Sequence, residues 1–211
     1  MNIRYAHYSF HVENLGPGCR HVLWVQGCCF DCPGCIAAGY HKKEGLVTDV
    51  QTLAREFLEA EGPQTEGITL SGGEPFLQPE ALTEFVRILK AHRDWGVICY
   101  TGFTMEELRE REKEIPEVGS LLKECDLLID GRYMREKDEG EALKGSSNQK
   151  IWCLSERYKD QIKEVYGNKN RKMTVRFENN RMVMIGVPNA KDRKRWENLK
   201  KTLQMVGGET E

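Results

Sequence analysis

Short apolar segments alternate with amphipathic ones along the first three quarters of the chain, and this alternation is the strongest constraint on its fold. Apolar runs such as 21–26 (HVLWVQ) and 67–71 (GITLS) are separated by segments whose apolar residues recur every three or four positions. Strands that alternate with helices form parallel βαβ units, in either a doubly wound sheet or an incomplete barrel. In both architectures ligands bind at the carboxyl ends of the strands. We therefore expect an α/β fold with one site at that edge.

The pattern predicts individual elements. The predicted strands are 3–12, 21–26, 67–71, 97–101, 126–130 and 151–154. The first predicted helix begins at Thr48 or Asp49, and two more span 80–92 and 104–114. A short helix is predicted before residue 126, and another begins at Ser155. Thr104 and Glu107 form a capping pattern at the start of the 104–114 helix.

The last segment differs from the rest of the chain. Residues 172–177 and 181–187 alternate apolar with polar side chains around Asn179 and Asn180, which can adopt the positive φ of a hairpin turn. A helix from about Lys191 to Val206 closes the chain. We therefore predict two parts, a core at 1–155 and a basic extension at 156–211 built as a β-hairpin plus a helix.

The net charge of −2 hides an asymmetry. Residues 150–211 carry 15 Lys+Arg and 8 Asp+Glu, so the rest of the chain is acidic. A basic end can meet an acidic partner or nucleic acid, and it can equally be a solvated face. The sequence has no motif of an RNA- or DNA-binding module, so a nucleic-acid partner is not expected.

Composition and cysteine usage bound the class of protein. No apolar run approaches the ~20 residues of a membrane helix, and the N-terminus lacks the apolar core of a signal peptide. We expect a cytoplasmic globular protein without membrane contact.

Five of the eight cysteines lie between Cys19 and Cys35. In a reducing compartment, such a cluster indicates metal binding or catalysis rather than disulfides.

Cys28, Cys32 and Cys35 form a C-x3-C-x2-C run, which suits a soft metal centre. A structural zinc site needs a fourth ligand. The candidates for that ligand are Cys19, His21, Cys29 and His41. An iron–sulfur cube held by only three cysteines is the other interpretation, and its fourth iron would be open to a chelating ligand. The spacing favours the cube, because zinc modules usually contain a second C-x2-C pair.

A Gly-Gly-Glu turn follows the predicted strand at 67–71. Gly72 and Gly73 let the backbone approach a ligand closely, and the carboxylate of Glu74 could pair with an ammonium group. The turn alone is a weak signal. Together with a three-cysteine loop one βα unit earlier, it is a strong one.

These two motifs resemble those of the radical S-adenosylmethionine (SAM) superfamily. Within it, the chain is most similar to activating proteins of anaerobic ribonucleotide reductase. The further segments that carry the resemblance are 16–20 (GPGCR), 32–35 (CPGC), 100–104 (YTGFT), 126–133 (DLLIDGRY) and 145–149 (GSSNQ). The chain departs from the usual pattern at Gly34 and Ile36, where relatives often carry an aromatic residue on one side of the third cysteine.

The resemblance implies two sets of site residues. The ligands of a [4Fe–4S] cluster would be Cys28, Cys32 and Cys35. The contacts to SAM would come from Gly34, Gly72, Gly73, Glu74, Thr101 and Asp130. For Thr101 and Asp130 the alternative is a structural role at the strand ends.

The implied fold is an incomplete (β/α) barrel of the radical SAM type with the hairpin-plus-helix appendage. The implied reaction is reductive cleavage of SAM to methionine and a 5′-deoxyadenosyl radical, which takes a hydrogen atom from a glycine of a large reductase subunit. Flavodoxin or ferredoxin would donate the electron, and no acid or base side chain is required. Two alternatives stay open: a radical SAM enzyme acting on another peptide or small molecule, and a zinc-stabilised interaction module.

Overall fold

The structure is a computed structural model that describes residues 1–165, 171–178 and 181–206. The strands are β1 (Asn2–Val12), β2 (Cys19–Val25), β3 (Leu46–Asp49), β4 (Thr65–Gly72), β5 (Gly96–Tyr100), β6 (Leu127–Asp130), β7 (Lys150–Cys153), β8 (Met173–Glu178) and β9 (Arg181–Gly186). The α-helices are α1 (Val50–Glu59), α2 (Pro79–His92), α3 (Met105–Glu114), α4 (Pro116–Glu124), α5 (Lys159–Val165) and α6 (Ala190–Val206). None of these helices is both long and apolar enough to cross a membrane.

Seven strands form one mixed sheet in the order β3-β1-β2-β4-β5-β6-β7. The four central strands β2, β4, β5 and β6 run parallel, as predicted, and β1, β3 and β7 pair antiparallel with their neighbours. The short connection between β1 and β2 accounts for the antiparallel pairing there, since a parallel neighbour needs a longer crossover. The sheet is open, with β3 and β7 at its edges. A mixed α/β fold rich in parallel strands is thus confirmed.

Most predicted elements are present with shifts of one or two residues at their ends. Strand β3 was not predicted, because its four residues (LVTD) are too few to show a period. The predicted hairpin is present as β8 and β9, but its proposed turn residues Asn179 and Asn180 lie outside the described residues. Helix α5 begins at Lys159 rather than at Ser155.

One face of the sheet is covered by helices α1 to α4. The carboxylate of Asp49 accepts hydrogen bonds from the backbone N–H groups of Gln51 and Thr52 and so caps α1. The predicted capping box of Thr104 and Glu107 is formed at the start of α3. The core on this face joins apolar strand and helix side chains, including Leu23, Leu70, Val97, Leu53, Phe85 and Leu121.

The other face of the sheet is covered by the C-terminal part of the chain. Tyr158 and Ile162 pack against Ile98, Leu127 and Ile129. The hairpin covers the other end of this face, where Ile185 is buried with Val12, Leu15 and Val22. The side chains of β5 and β6 alternate between the two cores, as expected for strands covered on both faces.

A buried arginine holds the second face together. Arg20, on β2, is fully buried and donates to the carbonyl oxygens of Ile68 (2.7 Å) and Gly96 (2.6 Å). It also donates to the hydroxyl of Tyr158 (2.7 Å), which in turn contacts Glu66 (3.1 Å). The guanidinium therefore ties β2, β4 and β5 to the segment that leads into α5.

The substitution Arg20→Lys tests this role. The single ammonium group of lysine cannot donate at once to the carbonyls of β4 and β5 and to the Tyr158 hydroxyl, as the guanidinium does. The substitution therefore leaves buried carbonyl groups without a donor. We expect a loss of about 2–4 kcal/mol in the free energy of unfolding, measured by denaturant titration. Arg87→Lys, at an exposed position that pairs with Glu124, is the control and should change stability by less than about 0.5 kcal/mol. Equal midpoints for the two variants would contradict the role assigned to Arg20.

Candidate active site

The carboxyl ends of the four parallel strands lie side by side, and each is followed by a segment singled out in the sequence. The cysteine loop follows β2 and the Gly-Gly-Glu turn follows β4. Thr101 and Gly102 follow β5, and Asp130 is the last residue of β6. The sheet therefore brings these segments to one edge.

Backbone hydrogen bonds join the cysteine loop to the Gly-Gly-Glu turn. The N–H of Gly73 donates to the carbonyl of Val25, and the N–H of Glu74 donates to the carbonyl of Gly27, each at 2.8 Å. A Cβ atom on Gly73 would lie 2.2 Å from the Gly27 oxygen, so only glycine fits there. The base of the loop is closed by a 2.8 Å bond from the Gly27 N–H to the carbonyl of Tyr40.

All eight cysteines are free thiols, and the three predicted ligands are partly buried in one loop. Burial raises the pKa of the Cys28 thiol to about 11 and also raises the pKa of Cys35. The backbone N–H of Cys35 donates to the carbonyl of Cys32 (3.0 Å), so these two cysteines flank one tight turn of the loop that begins at Cys28. Three thiols on one loop are the donor set of an iron–sulfur cube. The residues present therefore fit this cofactor, whose binding would displace the thiol protons.

The candidate fourth ligands of a zinc site have different surroundings. Cys29 is exposed, and the sulfur of Cys19 lies 3.9 Å from Nδ1 of His11. His21 is fully buried, and burial lowers its pKa to about 4. His41 lies 3.8 Å from a carboxylate oxygen of Asp31. Among the described residues, no group of three or more His, Cys, Asp or Glu side chains is placed to hold a metal ion, and this holds for Cys28, Cys32 and Cys35 as well.

An aromatic side chain that the sequence analysis missed anchors the cysteine loop. The ring of Phe30 lies edge-on to Phe103 with a centroid distance of 4.8 Å. The guanidinium of Arg132 lies 4.5 Å from the centroid of Phe30, and that of Arg111 lies 4.5 Å from Phe103. A Cβ atom on Gly102 would come within 2.5 Å of the Phe30 ring. These ring and guanidinium contacts hold the cysteine loop against the turn between β5 and α3.

The carboxylate of Glu74 is buried and its contacts lie within the chain. It accepts hydrogen bonds from the N–H of Phe76 (2.9 Å), the hydroxyl of Thr101 (2.8 Å) and the N–H of Gly102 (2.7 Å). Burial raises its pKa to about 7, against the opposing effect of these donors. The structure thus places Glu74 between β4 and β5, where it holds the two strand ends together.

Thr101 and Asp130 are engaged in the same way. The hydroxyl of Thr101 donates to Glu74 and accepts from the N–H of Phe103 (3.1 Å). The carboxylate of Asp130 accepts from the N–H of Met105 (2.7 Å) and from Nε1 of Trp152 (2.8 Å). These contacts correspond to the structural alternative stated for both residues, and Asp130 also borders a surface groove beside the cysteine loop.

Gly34 contacts the C-terminal part of the chain. Its φ of 77° lies in the left-handed region, and its carbonyl accepts a 2.8 Å hydrogen bond from the guanidinium of Arg193 on α6. The same guanidinium stacks 4.9 Å from the ring centroid of Tyr133 and lies 3.6 Å from a carboxylate oxygen of Asp138. The extension therefore reaches the cysteine loop, which no feature of the sequence indicated.

Comparison with known proteins decides the family. The model of the family described as "4Fe-4S single cluster domain" matches residues 14–152, about two thirds of the chain. The chain belongs to this family. The match begins just before β2 and ends in β7, so it contains the cysteine loop, the Gly-Gly-Glu turn and all four parallel strands.

Curated relatives of two kinds are similar to this chain. The anaerobic ribonucleoside-triphosphate reductase-activating protein of Enterobacteria phage T4 is 29% identical over 141 residues, 65% of this chain and 85% of that protein. The protein of the same name from Escherichia coli K12 is 27% identical over 162 residues, 71% of this chain and 97% of that protein. The pyruvate formate-lyase-activating enzyme of Listeria monocytogenes is 37% identical over 117 residues, 51% of this chain and 46% of that enzyme.

These findings confirm the predicted resemblance to activating proteins of anaerobic ribonucleotide reductase. They also confirm a 4Fe–4S cluster as the cofactor, and they favour it over the zinc alternative. Which residues ligate the cluster and contact SAM stays a prediction.

Phe30→Ala tests the anchoring of the cysteine loop. Without the ring, the loop loses its contact with Phe103 and Gly102, and the cysteines are less well positioned. We expect cluster affinity to fall about tenfold or more, the usual cost of losing a group that orients metal ligands. Iron and sulfide retained per chain after anaerobic reconstitution and challenge with a chelator measure this. Cys29→Ala, which changes the exposed neighbouring residue, is the control, and equal iron retention in both variants would rule out the anchor.

Glu74→Gln tests the buried carboxylate through pH. The folded protein holds the Glu74 proton up to about pH 7, whereas the ordinary pKa is 4.5. The free energy of unfolding of the metal-free protein should therefore fall as pH rises between these values. The variant should lose this slope and, because its amide cannot accept from Gly102, lose about 1–3 kcal/mol. Denaturant titrations at several pH values measure both effects. The control is Glu80→Gln, which makes the same change at an exposed residue. An unchanged slope in Glu74→Gln would contradict the assignment.

Proposed function

We propose that this protein is a radical SAM enzyme that generates a glycyl radical on an anaerobic ribonucleotide reductase. The observation that carries the proposal is the match to reductase-activating proteins over 85–97% of their length. The family match over residues 14–152 supports it, since that range includes the cysteine loop and the Gly-Gly-Glu turn. The partner is a glycyl-radical enzyme. The electron donor to this protein is a small redox protein such as flavodoxin or ferredoxin. The free thiols suit a reducing cytoplasm.

The cysteine loop binds the cofactor in this proposal. Cys28, Cys32 and Cys35 provide three thiolates, and the backbone bonds at Gly27 fix the base of the loop. When bound, the reduced cluster supplies the electron that splits SAM into methionine and a 5′-deoxyadenosyl radical. The protein orients the ligand and keeps the reacting atoms away from water, and no side chain needs to transfer a proton.

The Gly-Gly-Glu turn binds the methionine end of SAM. Gly72 and Gly73 lie against the base of the cysteine loop, so their backbone groups would be available to a ligand of a cluster held by that loop. Since donors from the chain already occupy the Glu74 carboxylate, Glu74 and Thr101 act as positioning residues for this turn. Asp130 plays the same part for the end of β6, and the backbone of Gly34 lies toward the adenine.

We propose that the sheet is an incomplete (β/α) barrel of the radical SAM type, and two features support this. Four parallel strands carry the site at their carboxyl ends, and helices cover one face. The C-terminal part occupies the other face, where a barrel has its interior. We infer the division into a 1–155 core and a 156–211 extension from the sequence, although Tyr158 and Ile162 already pack into the sheet.

Anaerobic reconstitution with iron and sulfide, followed by dithionite and SAM, tests the reaction. We expect 5′-deoxyadenosine and methionine in equal amounts, and a glycine-centred EPR doublet when the partner reductase is added. Replacing Cys28, Cys32 or Cys35 by Ala should abolish both, whereas Cys29→Ala should retain both. Zinc in place of iron, or no cleavage of SAM, would contradict the proposal. Cleavage of SAM without the EPR doublet would indicate that the enzyme acts on another peptide or on a small molecule.

A further inference from the structure

The hairpin of β8 and β9 carries an apolar face that is open to solvent. Val175 and Phe177 of β8 are exposed, Phe177 to 80% of its surface. They stand opposite Met184 and Met182 of β9, and residues directly opposite each other in an antiparallel pair share a face. These four side chains form the outer face of the hairpin. Single exposed apolar residues are common on proteins, but a contiguous group of them marks an interaction site.

The opposite face of the hairpin is fixed to the large sheet. Arg176 donates to the carbonyl of Phe10 (2.6 Å), and the carboxylate of Glu178 accepts from the hydroxyl of Ser9 (2.5 Å). Ile185, on the same side, is buried in the core. The outer face is therefore held in one position, so a partner that binds it does not have to order a mobile segment.

The part of the chain that contains the outer face is strongly basic. Residues 171–206 include 10 Lys+Arg and 3 Asp+Glu. Lys172 is exposed just before β8, and Lys191 and Lys194 are exposed in the first turns of α6, which begins four residues after the end of β9. An apolar centre with a charged rim is the usual anatomy of a protein–protein interface, and a basic rim fits an acidic partner. Nucleic acid fits the charge but not the apolar centre, since it is bound mainly through phosphate contacts.

The outer face continues into the wall of a cavity beside the cysteine loop. This cavity has a volume of about 190 Å³, and Met184 lines it together with Val183, Cys35 and Ser71. A protein that gives up a hydrogen atom at this edge of the sheet must approach closely, because reacting atoms have to come within about 3–3.5 Å of each other. Its surface then extends over the rim of the cavity, which includes the hairpin. An electron donor needs no such contact, and redox proteins usually bind through small interfaces.

The hairpin lies outside the part of the chain that matches the family, which ends at residue 152. The Escherichia coli K12 relative is covered over 97% of its length by 71% of this chain, so the rest of this chain has no counterpart in that relative. We propose that the outer face is a docking surface for the glycyl-radical reductase, which contacts it through an apolar patch with an acidic rim. This inference rests on the proposed function and adds to it a contact that the family match does not include.

Phe177→Asp tests the outer face. The change removes the most exposed ring of the face and adds a charge of the same sign as the acidic partner. The affinity for the purified reductase subunit of the same organism should therefore fall about tenfold or more. Lys194→Glu should also weaken binding and should reduce its dependence on salt concentration. Biolayer interferometry on the anaerobically reconstituted protein measures both. Cleavage of SAM with dithionite in the absence of the reductase should be unchanged in Phe177→Asp.

Leu46→Asp is the matched control, because it makes the same kind of change at an exposed apolar residue of the edge strand β3. Its affinity for the reductase should equal that of the wild-type protein. Equal affinity of Phe177→Asp and wild type would overturn the inference. A change confined to flavodoxin binding, to self-association in sedimentation or to binding of an RNA oligonucleotide would also overturn it, by assigning the face to another partner.

The wild-type protein separates this inference from the proposed function. If it produces the glycine-centred EPR doublet on the reductase while Phe177→Asp binds the reductase normally, only the docking surface is wrong. If the wild-type protein neither binds the reductase nor produces the doublet, the proposed function is wrong and the docking surface with it.

Discussion

The buried carboxylate of Glu74 is the interaction on which the rest of the site depends. Its side chain accepts from the turn that follows it and from both residues that follow β5, and its own N–H donates to Gly27 at the base of the cysteine loop. One residue therefore joins the ends of β2, β4 and β5. The neighbouring Gly73 permits this approach, because a side chain there would collide with the Gly27 carbonyl. The position of the cysteines relative to the turn is thus set by backbone geometry.

The C-terminal part of the chain is bound to the core by polar contacts as well as by apolar packing. On β8, the carboxylate of Glu178 accepts from the hydroxyl of Ser9 (2.5 Å) and contacts the His7 ring (2.8 Å), while Arg176 donates to the carbonyl of Phe10 (2.6 Å). Arg193 of α6 reaches the cysteine loop at Gly34. Contacts from β8 and α6 hold this part in place, which explains how a hairpin can form a wall of a cavity.

Much of the fold followed from local patterns in the sequence. The parallel strands are continuous apolar runs, and the cap at Asp49 and the capping box at Thr104 depend only on neighbours in sequence. The cysteine spacing favoured an iron–sulfur cluster over zinc, and the family resemblance carried by this loop and the Gly-Gly-Glu turn implied both the cluster and SAM. The role of Glu74 was harder to foresee, because a carboxylate beside two glycines is equally suited to a ligand or to donors on the next strand. Only the register of β4 and β5 determines which of them it contacts.

Residues that act across large sequence separations carried no local signal. Phe30 lies in a loop without periodicity, and its partner Phe103 is 73 positions away. Tyr100 belongs to the segment 100–104 that carries the resemblance, but the other residues of the cavity it lines come from distant parts of the sequence.

Buried polar groups in this protein form two sets with different consequences. Arg20, Glu74 and Asp130 each contact two or more groups of the chain, so they fix the strands relative to one another. The Tyr100 hydroxyl and Nε of Arg193 have no such partner within the described residues, and both line the same cavity. Natural proteins usually break the rule of satisfied polar groups where function requires it. Because one of these donors lies on the sheet and the other on α6, the wall of this cavity is formed by both the sheet and the C-terminal part of the chain.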